Sequence, residues 1–133
     1  MLKKLTSIAL MSMVLIACKG KPPYVPDYEN AVGLIIGPET CRVNAAQNAW
    51  LIQFSGPNAG NKSYGETITY SGNTYSNVVK TYLLPDSSKV SGRKYLFEFY
   101  LEGKSAQNDC DLANPITFNI SKIRLKNIVK IAN

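Results

Sequence analysis

Three cysteines, Cys18, Cys41 and Cys110, and a scatter of carboxylates are the residues here with chemistry to offer, and the chain has no histidine. That removes the commonest general base and the commonest metal ligand together. A nucleophilic cysteine would want a basic or histidine neighbour to generate its thiolate. Glu98 and Glu102 share strand parity, but four strand residues separate their α-carbons by roughly 13 Å. That spacing suits a solvated face better than a glycosidase pair, whose carboxyls stand about 5–9.5 Å apart. Asn108, Asp109 and Asp111 bracket Cys110 and would offer hard oxygens to calcium. No acidic ladder with a closing Glu follows, so they read as a polar turn around a cysteine. Gly56, Gly60 and Gly65 precede no helical pattern and serve turns rather than a phosphate cradle. The expectation is a protein with no catalytic residue, no metal and no cofactor. A hydrolase reading would have to start from Glu66, Glu98 or Asp111.

A binding reading has more material. Tyr64, Tyr70 and Tyr75 cluster in sequence, with Lys62 and Lys80 nearby. On one sheet face these tyrosines would stack on sugars or bases. The alternative is that they fill core and cross-strand positions, as most strand tyrosines do. Lys122, Arg124, Lys126 and Lys130 alternate with apolar residues, the pattern of a solvated strand face with edge-protecting lysines rather than a phosphate track.

Cys18 is set apart by what precedes it. Lys3 and Lys4 lead an uncharged apolar run from Leu5 to Ile16, and small Ala17 stands just before the cysteine, the layout of a secretory signal. A run of about a dozen residues is too short to span a bilayer core that needs roughly 20. Leu15, Ile16, Ala17 and Cys18 resemble the lipobox of bacterial lipoproteins. The resemblance implies cleavage before Cys18 and acylation of it, which anchors the mature chain to a membrane. With Cys18 lipidated, Cys41 and Cys110 remain as the intramolecular pair expected in an oxidising compartment. Lys19 follows the cysteine where enteric lipoproteins kept in the inner membrane carry Asp. The expected location is therefore the outer membrane, facing the periplasm.

Residues 1–17 then form the signal, and residues 18–30, with Pro22, Pro23 and Pro26, an extended tether. Residues 31–133 form one domain. Loss of Lys3 and Lys4 lowers the formal charge from +6 to +4, too weak a field to favour nucleic acid. A glycan or an envelope protein is the expected partner.

The domain must be built from strands, because apolar residues alternate with polar ones and no stretch shows a helical period. "AVGLIIG" sets Val32, Leu34 and Ile36 on one face, and "AWLIQF" sets Trp50, Ile52 and Phe54 likewise. "TITYSGNTYSNVVKTYLLP" reads as a hairpin turning at Ser71, Gly72 and Asn73, with Val79, Thr81 and Leu83 on one face and Pro85 ending the ladder. "KYLFEFYLEG" alternates Tyr95, Phe97, Phe99 and Leu101 against Leu96, Glu98, Tyr100 and Glu102. "PITFNISKIRLKNIVKI" changes phase after Ile120, which predicts a bulge or bend near Ser121. The run "YSNVVKTYLLPDSSKVSGRKYLFEFYLEG" is similar to the core of small OB-like bacterial proteins. Leu84, Pro85 and Asp86 form the turn, and Lys89, Val90 and Gly92 lead into the aromatic strand Tyr95 to Leu101. The resemblance implies an all-β, five- to six-stranded OB-like Greek-key barrel, a fold that binds oligosaccharides or oligonucleotides across a sheet face and its loops. The expected function is a lipid-anchored, non-catalytic envelope binding or assembly module, or else a small periplasmic inhibitor or accessory subunit of an envelope enzyme.

Overall fold

Alternating β-branched and aromatic residues fold here into six strands. The computed structural model describes residues 28–55 and 63–131. The strands are β1 (Glu29–Pro38), β2 (Trp50–Ser55), β3 (Glu66–Tyr70), β4 (Asn73–Thr81), β5 (Lys94–Ser105) and β6 (Ile120–Lys130). Neighbours run β2-β1-β5-β6-β4, and a further β2–β4 pairing closes the ring. The β4–β6 contact is parallel, with Lys80 opposite Lys122, while the other pairings are antiparallel. The result is a closed five-stranded mixed barrel of OB-like order, and β3 is an extra strand held by β4. β1 starts at Glu29, two residues before the boundary that composition suggested. The signal, Cys18 and most of the tether lie outside the described residues.

The barrel interior is filled by Ile35, Ile52, Phe54, Tyr64, Val79, Leu84, Tyr95, Phe97, Phe99 and Ile123. Phe54 stacks on Phe99 at 4.7 Å between centroids, and such ring pairs add to the burial of their large apolar surfaces. Trp50, Ile52 and Phe54 face inward as expected, but the inward face of β1 is the opposite of the expected one. Ala31, Gly33 and Ile35 are buried there, while Val32 and Leu34 are half-buried on the outside. The reason is steric: a Cβ on Gly33 would stand 2.6 Å from Ile52 Cγ2 and 2.7 Å from Phe97 Cε2. Small residues on β1 make room for large ones on β2 and β5.

The hairpin turn lies where the sequence placed it. Ser71 and Gly72 both take positive φ, 48° and 81°, as a two-residue primed turn between right-twisted strands requires. Leu83 does not continue the β4 face, because the strand ends at Thr81 and Leu83 is exposed while Leu84 turns inward. Around Ser121 the extra residue belongs to β5: Glu102 faces Lys122 and Lys104 faces Ser121, leaving Gly103 unmatched. Further along, Glu98 faces Asn127 and Phe99 faces Leu125, so Lys126 is the extra residue of β6. The two bulges let a long β5–β6 ribbon coil around the barrel. Leu101, expected to share the inward face of Tyr95, Phe97 and Phe99, is 51% exposed near the ribbon's far end.

Candidate functional site

At the end of the barrel where β1 leaves, residues 39–49 connect β1 to β2, and residues 106–119 connect β5 to β6. These are the two loops that flank the ligand face in OB-like barrels, and here they are stitched together. Cys41 and Cys110 form a disulfide, with α-carbons 4.6 Å apart. Arg42 reaches across with both terminal nitrogens, Nη1 donating to Asp111 Oδ1 at 3.1 Å and Nη2 to Asp109 Oδ2. The carboxylates that sequence spacing offered to calcium therefore hold a guanidinium. Thr40 and Ile116 exchange backbone hydrogen bonds of 3.0 and 2.8 Å, and the Cys41 carbonyl accepts from Asp111 N–H at 2.9 Å. Asn48 is buried and closes the first loop on itself. Its Oδ1 accepts from Cys41 and Arg42 N–H, and its Nδ2 donates to the Arg42 carbonyl.

Beneath the stitch lies an ion pair that sequence reasoning missed. Lys80 on β4 and Glu39 just after β1 are 0% and 2% exposed, and Lys80 Nζ stands 2.9 Å from Glu39 Oε1. The same ammonium donates to the Phe118 carbonyl at 2.8 Å, and Glu39 Oε2 accepts from Phe118 N–H at 2.9 Å. One pair of opposite charges thus ties the start of the first loop to β4 and to the chain that leads into β6. An i,i+2 pattern shows that Lys80 shares a face with Val78, but only the fold brings Glu39 to it.

The tyrosine and lysine set that the sequence suggested as a ligand face does not form one. Tyr64 belongs to the barrel core, edge-on to Phe54 and Phe99 at 5.8 and 5.4 Å, and its hydroxyl donates to Glu29 Oε2 at 3.1 Å. Burial pushes its pKa up, and the hydrogen bond to Glu29 and the charge of that carboxylate push the same way. Lys80 is internal, and Lys62 lies outside the described residues. Tyr70 and Tyr75 are half-buried against a second cluster of Ile36, Leu51, Ile68, Val78 and Ile120. The Tyr70 hydroxyl donates to the Pro38 carbonyl at 2.9 Å, and its ring lies 6.5 Å from Phe118. The β3–β4 hairpin and the approach to β6 thereby cover the outer face of β2 and β4, so that face is not open to an extended ligand.

What stays open is the loop end itself. Val43 is 75% exposed on the stapled loop, with Ile116 exposed across the Thr40 bridge. Beside them a cavity of about 400 Å³ is lined by Pro38, Glu39, Ala45, Ala46, Trp50 and Lys89, among others. The sole tryptophan supplies its aromatic wall, and the Asp86–Lys89 ion pair, 2.9 Å, lies on its border. It is a half-open depression in which Glu39, Thr40, Asn48, Asp86 and Lys89 stand among the apolar walls. Among the described residues no group of three histidine, cysteine, aspartate or glutamate side chains is arranged to hold a metal. Glu66, a starting point for a hydrolase reading, is paired with Lys104, and Glu102 with Lys122 at 3.3 Å. No known protein family matches the chain, and no curated protein is detectably similar to it.

Proposed function

We propose that the protein is a lipid-anchored, non-catalytic binding module of the bacterial cell envelope, and that its working surface is the stitched loop end of the barrel. The observation that carries this reading is the cross-linking of residues 39–49 to residues 106–119 by a disulfide, a two-pronged Arg42 and a backbone bridge, with Val43 and Ile116 left facing out. Loops held this firmly lose little conformational freedom on binding, which is the general source of affinity in pre-organised sites. The disulfide suits an exported protein, and the lipobox-like segment ending at Cys18 suits anchorage in the outer membrane, facing the periplasm.

The partner is an envelope protein or the end of a glycan chain. Coverage of the β2–β4 face favours a compact contact at the loop end over a strand of sugars laid across the sheet. Exposure of Val43 on a stapled loop favours the second reading, a small inhibitor or accessory subunit that inserts this loop into an envelope enzyme. Mild crosslinking in native envelopes, followed by recovery of the protein and mass spectrometry, tests both. One dominant protein partner lost on Val43→Glu supports the accessory or inhibitor reading. Retained glycan lost on Trp50→Ala supports ligand binding in the cavity. A capture profile that neither substitution alters would remove the loop end as the working surface.

A further inference from the structure

The outer face of β1, β5 and β6 differs from the covered face opposite. Its cross-strand rows follow from the register. Val32, Leu96 and Val129 form one row, Asn30, Glu98 and Asn127 the next, Tyr100 pairs with Arg124, and Leu34 pairs with Lys94. Val129 is 51% and Tyr100 37% exposed, so an apolar row and an amphipathic ring stand on a surface with exposed Lys94, Arg124 and Lys126 around them. The carboxylates of this face are Glu98 and, one row beyond Tyr100, Glu102, which is paired with Lys122. Lys126, the bulged residue, sits 3.4 Å from the centroid of the Tyr28 ring. Tyr28 is the point at which the chain enters the barrel, and it enters on this face.

We infer that this face rests on the surface of an anionic bilayer, the inference depending on the lipid anchor proposed above. Nine residues lie between Cys18 and Tyr28, and the ten α-carbon steps reach about 35 Å at most when fully extended. A barrel on so short a tether cannot leave the surface by more than about its own width. Tyrosines at the edge of an apolar patch suit the headgroup layer, and cations suit anionic lipid. β1 has ten residues, which puts the stitched loops roughly 30 Å along the strand from the entry point. With this face seated, that distance runs along the membrane, so the stitched loops stand at the side of the contact and not within it.

The test reconstitutes protein purified from envelopes into vesicles containing phosphatidylglycerol, into phosphatidylcholine vesicles, and into detergent, and measures amine acetylation of Lys94 and Lys126 against Lys104. Intact mass establishes in the same sample whether Cys18 is acylated. A cation near an anionic surface gains about fivefold in local binding. Acetylation of Lys94 and Lys126 is therefore expected to fall at least about fivefold in phosphatidylglycerol vesicles relative to detergent, with Lys104 unchanged. Val129→Glu, at a half-exposed site that tolerates the change, should restore it. Acylated protein with equal labelling in all three settings overturns the seated face and leaves the anchor standing. Unacylated protein overturns the anchor, and adding that protein to the same vesicles decides the face separately. Protection that persists in detergent and grows with protein concentration would assign the face to a second copy and overturn the inference.

Discussion

Replacing Lys80 with Met tests the buried ion pair and, with it, the placement of Lys80 inside the protein. Lys80 Nζ has two partners, Glu39 Oε1 at 2.9 Å and the Phe118 carbonyl at 2.8 Å, and no solvent exposure. The substitution keeps most of the side-chain volume but leaves Glu39 as a buried charge with one remaining donor, Phe118 N–H. Removing one partner of a buried pair costs about 3–5 kcal/mol. That is a large share of the 5–15 kcal/mol typical of a domain, and for about 100 residues it corresponds to a fall in Tm of some 15–30 °C. Glu39→Gln should cost a similar amount by stranding the ammonium. The double substitution should cost clearly less than the sum, because each single change includes the penalty of the charge left behind. Urea unfolding of the disulfide-intact protein measures all three. A loss below about 1 kcal/mol for Lys80→Met, the scale of an exposed pair, would refute the argument and return Lys80 to the surface as a candidate ligand contact.

Other outcomes follow from the same contacts. Reducing the Cys41–Cys110 disulfide, or replacing both cysteines with Ser, should remove up to about 4 kcal/mol, the closure entropy of a loop spanning 69 residues; urea unfolding with and without reductant measures it. Asn77→Ala should cost about 2–3 kcal/mol, because Asn77 Oδ1 accepts from Tyr64 and Gly65 N–H, its Nδ2 donates to the Phe54 carbonyl, and its φ is +52°. Asn77→Gly, which relieves only the backbone, should recover the smaller part. Gly65→Ala should destabilise by about 1–3 kcal/mol or more, since a Cβ there would stand 1.9 Å from the Val78 carbonyl oxygen. The Tyr64 hydroxyl has a folded-state pKa raised above its ordinary value of 10.0. Its contribution to stability is therefore intact below pH 10 and declines as pH rises towards the folded value. Tyr64→Phe should flatten the alkaline limb of a stability profile measured by urea unfolding, and an unchanged slope would contradict the burial of that hydroxyl.

The fold was legible in the residues because its determinants are local. The alternation of Tyr95, Phe97 and Phe99 and the Ser71–Gly72 turn each act within a few residues, so strand existence and the hairpin could be read directly, whereas β4 ends at Thr81, before the Pro85 expected to stop it. The inward face of β1 could not, because Val32, Leu34 and Ile36 are the larger apolar set and only the approach of Phe97 shows that Gly33 must point inward. The candidate tyrosine face failed for the same kind of reason. Tyr64, Tyr70 and Tyr75 have one chemistry, yet Glu29, the Pro38 carbonyl and the Phe118 ring, all distant in sequence, decide where each lies. The stitched loops were half legible: the cysteine pair could be named, whereas the Arg42 fork on Asp109 and Asp111 could not.

By itself, the sequence of this protein determined strand composition, the hairpin turn and the two cysteines that pair, because period-2 burial, positive φ at a turn and the scarcity of thiols do not depend on which strands meet. Only the tertiary structure decided closure through β2–β4, the burial of Lys80 on Glu39, the covered outer face of β2 and β4, and the apolar, cation-edged face of β1, β5 and β6. Those depend on register and on contacts between residues dozens of positions apart, and the free energy of a buried charge or a filled groove exists only once both sides are in place.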